Sequence, residues 1–399
     1  MLKVLHITKS DRGGAGLCCL RIHESLMGMG VDSKVVTLQS HLLSKEVYSF
    51  GRIEDNISKI PSKFFRILGL KVTDRNKILE LIRTKGHAYS IPKSNINLLD
   101  CKWIEWADVI HLHSVSNYID LPTFFKNIQK PVVWTLHDEN FFFGIAHYSE
   151  SILPDNPMEI KYYKVKEKSL ANIKNLNVVM LSEYLYKKFR NHPFLNQREV
   201  RIINNPVDTK IFKPKPRHES REKLGLSDDD ILIGFTSYII SDERKGLNIL
   251  SRAVNKIGDS RIKILAIGSN PQNCNWPNVI SVGLKNNNEE ICEILSAANF
   301  FAMPSYQEAF AQSPMEAMAC GLPVVVFPVS GTSELVNTQN GFICEDFTEG
   351  ALQQGIRHIM AHSYNPFNIR QDMITRFSPN VISKKYIDLY KYAINNAKD

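Results

Sequence analysis

No stretch of the 399-residue chain approaches the roughly 18 consecutive apolar residues that a membrane-crossing helix needs, so no candidate span is present. The opening MLKVLHITKSDRGG turns to charged and glycine positions too early for the apolar core of a secretory leader. Cysteine is sparse: Cys18, Cys19, Cys101, Cys274, Cys292, Cys320 and Cys344 are odd in number, scattered, and never spaced as a CxxC pair. This excludes a disulfide framework or a thiolate metal site and fits a reducing, cytoplasmic setting. Repeats at a solenoid period and low-complexity tracts are missing too, which leaves ordinary globular domains.

What is present agrees with that. Hydrophobic residues make up 43% and charged residues 23%, the usual soluble mix, and the length suits two α/β domains. The formal charge of +8 is uneven: residues 1–205 hold 29 Lys+Arg against 20 Asp+Glu, and residues 206–399 hold 20 against 21. A basic first half fits nucleic acid, an anionic membrane surface or a phosphorylated substrate, but no basic and aromatic interleaving of a recognised nucleic-acid module accompanies it.

Short apolar runs alternate with helical patterns, the pattern of a parallel sheet built from βαβ units. In the first half LKVLHIT, SKVVTLQ, DVIHLHS, PVVWTLHD, NVVMLS and VRIINN read as strands; in the second ILIGFTS, IKILAIG, NVISVG, NFFAMPS, PVVVFP and FICE do. The Pro- and Lys-rich Lys213-Pro214-Lys215-Pro216 suits a linker. The expected architecture is α/β: two doubly wound, Rossmann-like domains, residues 1–205 and 206–380, facing one another with ligands at the carboxyl ends of the strands. Residues 381–399 read as an amphipathic helix with Tyr386, Leu389, Tyr390 and Ala393 on one face, packed either on its own domain or back on the first.

Asp11-Arg12-Gly13-Gly14-Ala15-Gly16 reads as a glycine loop opening a helix over Leu17 to Met29. It is either a phosphate-approaching loop or a tight turn. A dinucleotide fingerprint is disfavoured, because the third glycine place is Cys19 and the second strand ends in Leu38-Gln39 without an acid. Residues 301–330 are more informative. Ser313 suits an N-cap, Pro314 the first turn and Gly321 the stop of a helix whose amino end favours phosphate. Glu316 there is a ligand or the partner of Ser313 in a capping box. Glu308 stands in a loop at a strand end beside Ala309 and Ala311. His111, His113 and His137 lie at or near strand ends without a carboxylate at ligand spacing, and Asp228-Asp229-Asp230 reads as a polar turn, so no metal site is expected.

Glu308-x7-Glu316 followed by Ala319-Cys320-Gly321-Leu322-Pro323-Val324-Val325, the loop Ser241-Asp242-Glu243-Arg244-Lys245-Gly246, and Gly13-Gly14 resemble the retaining glycosyltransferases of family 4. Pro131-Val132-Val133-Trp134-Thr135-Leu136-His137-Asp138 is similar to the strand end of bacterial members that build surface polysaccharides. The resemblance spans nearly the whole chain. It implies a GT-B fold, a nucleotide-diphosphate sugar held mainly by the second domain, an acceptor held mainly by the first, retention of anomeric configuration, and no cofactor or metal. The residues it implies are His137 and Glu308 at the reacting centre, and Gly13, Gly14, Arg244, Lys245, Gly268, Leu284, Phe310, Ala311 and Glu316 for the donor, with Glu316 on the ribose. Three departures stand out: Ala311 replaces a frequent glycine, Ser237-Tyr238 replaces a frequent Gly-Arg, which moves the phosphate role to Arg244, and the strand end runs on as Glu139-Asn140-Phe141-Phe142-Phe143.

The implied activity is transfer of a sugar to a glycan or lipid-linked acceptor in surface polysaccharide synthesis; a nucleotide-sugar epimerase and a non-catalytic nucleotide-sugar binder are the alternatives. Nucleic acid is not an expected partner. Residues 58–72, SKIPSKFFRILGLKV, interleave Lys59, Lys63, Arg66 and Lys71 with Phe64, Phe65 and aliphatics, which suits either peripheral contact with an anionic membrane from the cytoplasmic side or a helix packed on the domain core.

Overall fold

The computed structural model describes residues 1–41, 45–51, 73–171, 173–270, 274–328 and 330–397; the basic and aromatic segment 58–72 lies outside them. The chain divides into two units. The first comprises Met1–Leu181, Tyr186–Ile203 and Ser383–Asp399, and the second Ser182–Leu185 and Asn204–Ile382.

In the first unit, β1 (Lys3–Ser10), β2 (Asp32–Gln39), β3 (Val47–Ser49), β4 (Val109–Leu112), β5 (Val132–Leu136), β6 (Leu176–Met180) and β7 (Val200–Ile202) form one sheet in the order β3-β2-β1-β4-β5-β6-β7. Every pairing is parallel. Strands buried on both faces read as continuous Val, Ile and Leu runs, which is why six of the seven are visible in the sequence. Edge strand β3 has three residues and pairs with β2 alone, too short to leave a pattern.

In the second unit, β8 (Ile231–Ile239), β9 (Ile262–Ser269), β10 (Val279–Ser281), β11 (Phe300–Met303), β12 (Val324–Val326) and β13 (Gly341–Ile343) form a parallel sheet in the order β10-β9-β8-β11-β12-β13. Phe235, Leu250, Phe300, Val325 and Leu352 form part of its core. In each sheet the strand order reverses direction once, between β1 and β4 and between β8 and β11. At such a switch point the two following segments diverge to opposite faces and leave a crevice at the carboxyl edge, so the expected doubly wound α/β class is the class the chain adopts.

Helix α1 (Gly13–Gly28) begins four residues earlier than the expected Leu17. The glycine segment is therefore the first helical turn and not a loop: Gly13 takes φ +74, and a Cβ on Gly16 would strike the Ser10 carbonyl, so Gly16 is required by the close approach of the helix to β1. Helix α2 (Pro157–Leu170) also belongs to the first unit, while α3 (Leu247–Ile257) and α4 (Gln312–Ala319) belong to the second. Helix α5 (Pro379–Asn396) enters the first unit from Ser383 onward. Its Tyr386, Leu389 and Tyr390 are fully buried, and Leu389 alone contributes about 1.5–3 kcal/mol. The Tyr390 hydroxyl bonds His111 Nδ1 at 2.7 Å and the Tyr386 hydroxyl bonds Thr135 Oγ1 at 2.9 Å, which gives both phenols a partner inside the core.

The first core is unusual in holding imidazoles. His6 on β1 and His111 on β4 are register partners, and His113 follows just beyond β4; all three are buried. Burial pushes His6, His111 and His113 well below the ordinary imidazole value, and pushes His137 down to about 4. The unfolded chain then binds protons on these histidines that the folded chain refuses, so their contribution to stability is complete above about pH 6.5 and declines as pH falls toward 4. Each imidazole removes about 1.4 kcal/mol per pH unit in that window. Melting temperature measured from pH 8 to pH 5 should drop steeply below 6.5; a flat profile between 6.5 and 5 would mean that the folded core accepts these protons.

Candidate active site

The segments flanking the switch point of the second sheet carry most of the candidate residues. After β8 comes a single turn, Glu243–Lys245, capped by Asp242 Oδ1, which accepts from Arg244 N at 3.0 Å. Gly246 then takes φ +79, and a Cβ there would strike the Pro304 carbonyl, so the turn lies tight against the segment after β11. The Arg244 carbonyl accepts from Tyr306 N at 2.9 Å and lies 3.1 Å from Ser305 Oγ. Its guanidinium donates to the Gln307 carbonyl at 3.1 Å and pairs with Asp242 Oδ2 at 3.2 Å. This clamp brings Lys245 Nζ onto Glu308 Oε1, which also accepts from Ser305 Oγ at 2.8 Å. The pair is mostly covered, with 20% of the Lys245 and 10% of the Glu308 side chain exposed. Two residues chosen on separate grounds in the sequence are thus in contact, whereas the Arg244 fork is engaged by Asp242 and the Gln307 carbonyl.

Gly268, next to last in β9, takes φ +148, and a Cβ would strike the Ser237 carbonyl; its N–H donates to the Gly283 carbonyl at 3.0 Å. It lets the ends of β8 and β9 close, next to the exposed Leu284. Helix α4 starts at Gln312 with Ala311 as N-cap, which offers no side-chain cap. Ser313 is therefore inside the helix, and its Oγ turns to Met303 Sδ at 3.9 Å. The expected N-cap at Ser313 and the capping box with Glu316 both fail for that reason. Pro314 still falls in the first turn, where its missing N–H costs nothing, and Gly321 stops the helix at φ +82. Glu316 is buried one turn in. Phe310 and Ala311 are buried as well, and the Phe310 ring meets Phe377 at 5.9 Å between centroids.

In the first unit, exposed Gly13 and Gly14 open α1, with open space where Gly14 would carry a Cβ. His137 follows β5 half-buried, and its Nε2 lies 3.1 Å from His113 Nδ1. Asp138 Oδ2 bonds His147 Nδ1 at 2.7 Å, and His147 Nε2 meets Ser90 Oγ at 2.8 Å. The Phe-rich continuation is held by two side chains of α2 seven residues apart. Glu159 accepts from Gly144 N, from Ile145 N at 3.0 Å and from Ala146 N at 3.2 Å. Lys166 donates to the Asn140 carbonyl, to Asn140 Oδ1 at 3.1 Å and to the Phe143 carbonyl at 2.6 Å, and burial lowers it to about 7. His147, Glu159 and Lys166 were not legible in advance, since a Glu and a Lys on one helix face are found on most surface helices.

Nitrogens of His6, His111 and His113 lie within 4.8 Å of one another. His111 is closed to a cation, because both its nitrogens are occupied, by Tyr390 and by Thr135 Oγ1 at 2.8 Å. The Asp228 to Asp230 turn is paired, Asp228 with His218 and Asp230 with Lys263 at 2.7 Å. A cavity of about 290 Å³ lined by Arg217, Asn299, His362 and Tyr364 sits at the amino edge of the second sheet, opposite the Lys245–Glu308 pair.

Residues 230–362 match the family Glycosyl transferases group 1. Over 310 residues the chain is 22% identical to an uncharacterised glycosyltransferase of Methanocaldococcus jannaschii, covering 73% of this chain and 77% of that protein. It superposes on the sucrose-phosphate synthase of Thermosynechococcus elongatus with 18% identity, 98% of this chain, 99% of the other and a TM-score of 0.69. Anabaena HepE, solved in complex with UDP and glucose, gives 18% identity, 98% of this chain, 100% of the other and a TM-score of 0.67. The fold is GT-B. With the group 1 match covering the segments that hold Lys245, Glu308 and Glu316, the chain is a glycosyltransferase.

Proposed function

We propose that the chain transfers a sugar, with retention, from a nucleotide-diphosphate sugar to a glycan or lipid-linked acceptor in surface polysaccharide synthesis. The observation that carries this reading is the Lys245–Glu308 contact at the switch point of the second sheet. Breaking a glycosyl phosphate bond leaves negative charge on a diphosphate, and a transferase needs positive or N–H-rich groups where that charge develops. Lys245 supplies a cation and the uncapped amino end of α4 supplies N–H groups. Arg244 holds the loop that presents Lys245. Glu308 contacts the donor sugar, Glu316 the ribose, and His137 stands beside the reacting centre; attack proceeds on the face of departure with help from the leaving phosphate. The bound UDP and glucose of Anabaena HepE support a nucleotide-diphosphate donor. No metal or cofactor is invoked.

Lys245→Ala should weaken nucleoside diphosphate on the order of 10- to 100-fold and leave the nucleoside nearly unchanged, because only the former carries charge for it to meet. Isothermal titration checks this; equal losses for both ligands would remove Lys245 from the phosphate site. Glu308→Gln should lower kcat by about 10²-fold at similar donor KM, while Glu316→Gln should chiefly raise donor KM. Free nucleotide must appear only with acceptor present, whereas a new nucleotide sugar would point to an epimerase.

A lipid-linked acceptor places the enzyme at a membrane face, and the basic and aromatic segment 58–72 suits that location. Among the described residues no helix is long and apolar enough to cross a membrane. Co-sedimentation with vesicles containing anionic lipid should be seen at low salt and fall when Phe64 and Phe65 are replaced by Ser; no binding at low salt would end the proposal.

A further inference from the structure

Three imidazoles of the first unit stand in a row. His6 Nδ1 lies 3.1 Å from His113 Nε2, and His113 Nδ1 lies 3.1 Å from His137 Nε2. Each neutral ring carries one N–H, so His113 must donate from one nitrogen and accept at the other. Only two proton arrangements satisfy both bonds. In one, donation runs outward from His6 through His113 to His137, and all three rings carry the proton on Nδ1. In the other it runs inward, and all three carry it on Nε2.

The inner end of the row decides between them. Among the described residues, His6 Nε2 is buried and has no hydrogen-bond partner. His111, whose ring is 4.9 Å away, has both nitrogens engaged by Tyr390 and Thr135. His23, at 6.2 Å, is engaged by Ser33 Oγ at 2.8 Å and the Lys45 carbonyl at 3.1 Å. Inward donation would leave an orphan N–H at that blind end, whereas outward donation leaves only a bare lone pair. Buried orphan N–H groups are the rarer of the two in folded proteins.

We infer that His113, backed by His6, is a positioning residue that fixes His137 as its Nδ1–H tautomer, so that the outer face of His137 offers a hydrogen-bond donor and no basic lone pair. The use of that donor on the sugar donor rests on the proposed transferase reading; the tautomer itself does not. A ring held in this state stabilises an oxygen that gains negative charge, and it cannot act as base or nucleophile, because its one lone pair faces His113. This fits a retaining transfer in which the leaving phosphate, and not a side chain, assists the incoming hydroxyl.

Long-range proton–nitrogen correlation spectra of the full chain labelled with 15N-histidine, assigned by single replacements, test the inference directly. His6, His113 and His137 are expected each to show a protonated Nδ1 and a bare Nε2. Protonated Nε2 on His137 in the unmodified protein would overturn it. His113→Phe removes the donor and should release His137 into a tautomer mixture, with kcat reduced about tenfold, the value of one hydrogen bond, at similar donor KM. An unchanged His137 pattern in a folded His113→Phe protein would also overturn it, even if activity fell. The expected pattern in a protein that transfers no sugar would count against the transferase reading and leave the tautomer assignment standing.

Discussion

The Arg244 carbonyl is the joint on which the second unit's site depends. It accepts from Tyr306 N, and so ties the segment after β8 to the segment after β11 across the switch point. The segment after β8 holds only the single turn Glu243–Lys245, and each segment leads from its strand into a helix, α3 in one case and α4 in the other. Gly246 makes the joint possible by letting the turn sit against Pro304 without a Cβ between them. The consequence reaches from backbone to chemistry: Lys245 and Glu308, 63 residues apart in sequence, share a hydrogen bond because two backbone segments are locked together. A loop that moved independently would present the cation and the carboxylate in many relative positions, and little preorganisation would remain for the charge of a leaving diphosphate.

The first unit solves the corresponding problem differently. Its Phe-rich segment after β5 is held from outside, by α2, with Glu159 collecting consecutive N–H groups and Lys166 collecting carbonyls. A carboxylate and an ammonium engaged in this way satisfy backbone groups that no strand or helix serves, which is the condition for burying an irregular segment at all. His137 and Asp138 stand at the start of that segment and inherit its rigidity. Each then has its own histidine partner, His113 for one and His147 for the other.

The sequence was most readable where burial on both faces makes strands continuous and apolar, as in β1, β5, β9 and β12. It failed at β3, whose three residues carry no period, and at the glycine segment, where helical glycines look like a loop. At α4 the Ser-x-x-Glu spacing suggested a cap that Ala311 displaced, because capping depends on the backbone angles of the preceding residue and not on spacing alone. Glu308 and Lys245 were legible as individuals through their loops; their contact was not, since nothing in either loop encodes the clamp. His6 left no signal, because a histidine on an apolar strand looks the same whether or not it has a partner.

The central claim is that the carboxyl edge of the second sheet receives the diphosphate of the donor. A crystal structure of the protein with a nucleoside diphosphate measures this most directly. The account predicts diphosphate oxygens within hydrogen-bonding distance of Lys245 Nζ and of the N–H groups opening α4. Diphosphate bound instead in the amino-edge cavity beside Arg217, His362 and Tyr364, with the Lys245–Glu308 pair untouched, would contradict it.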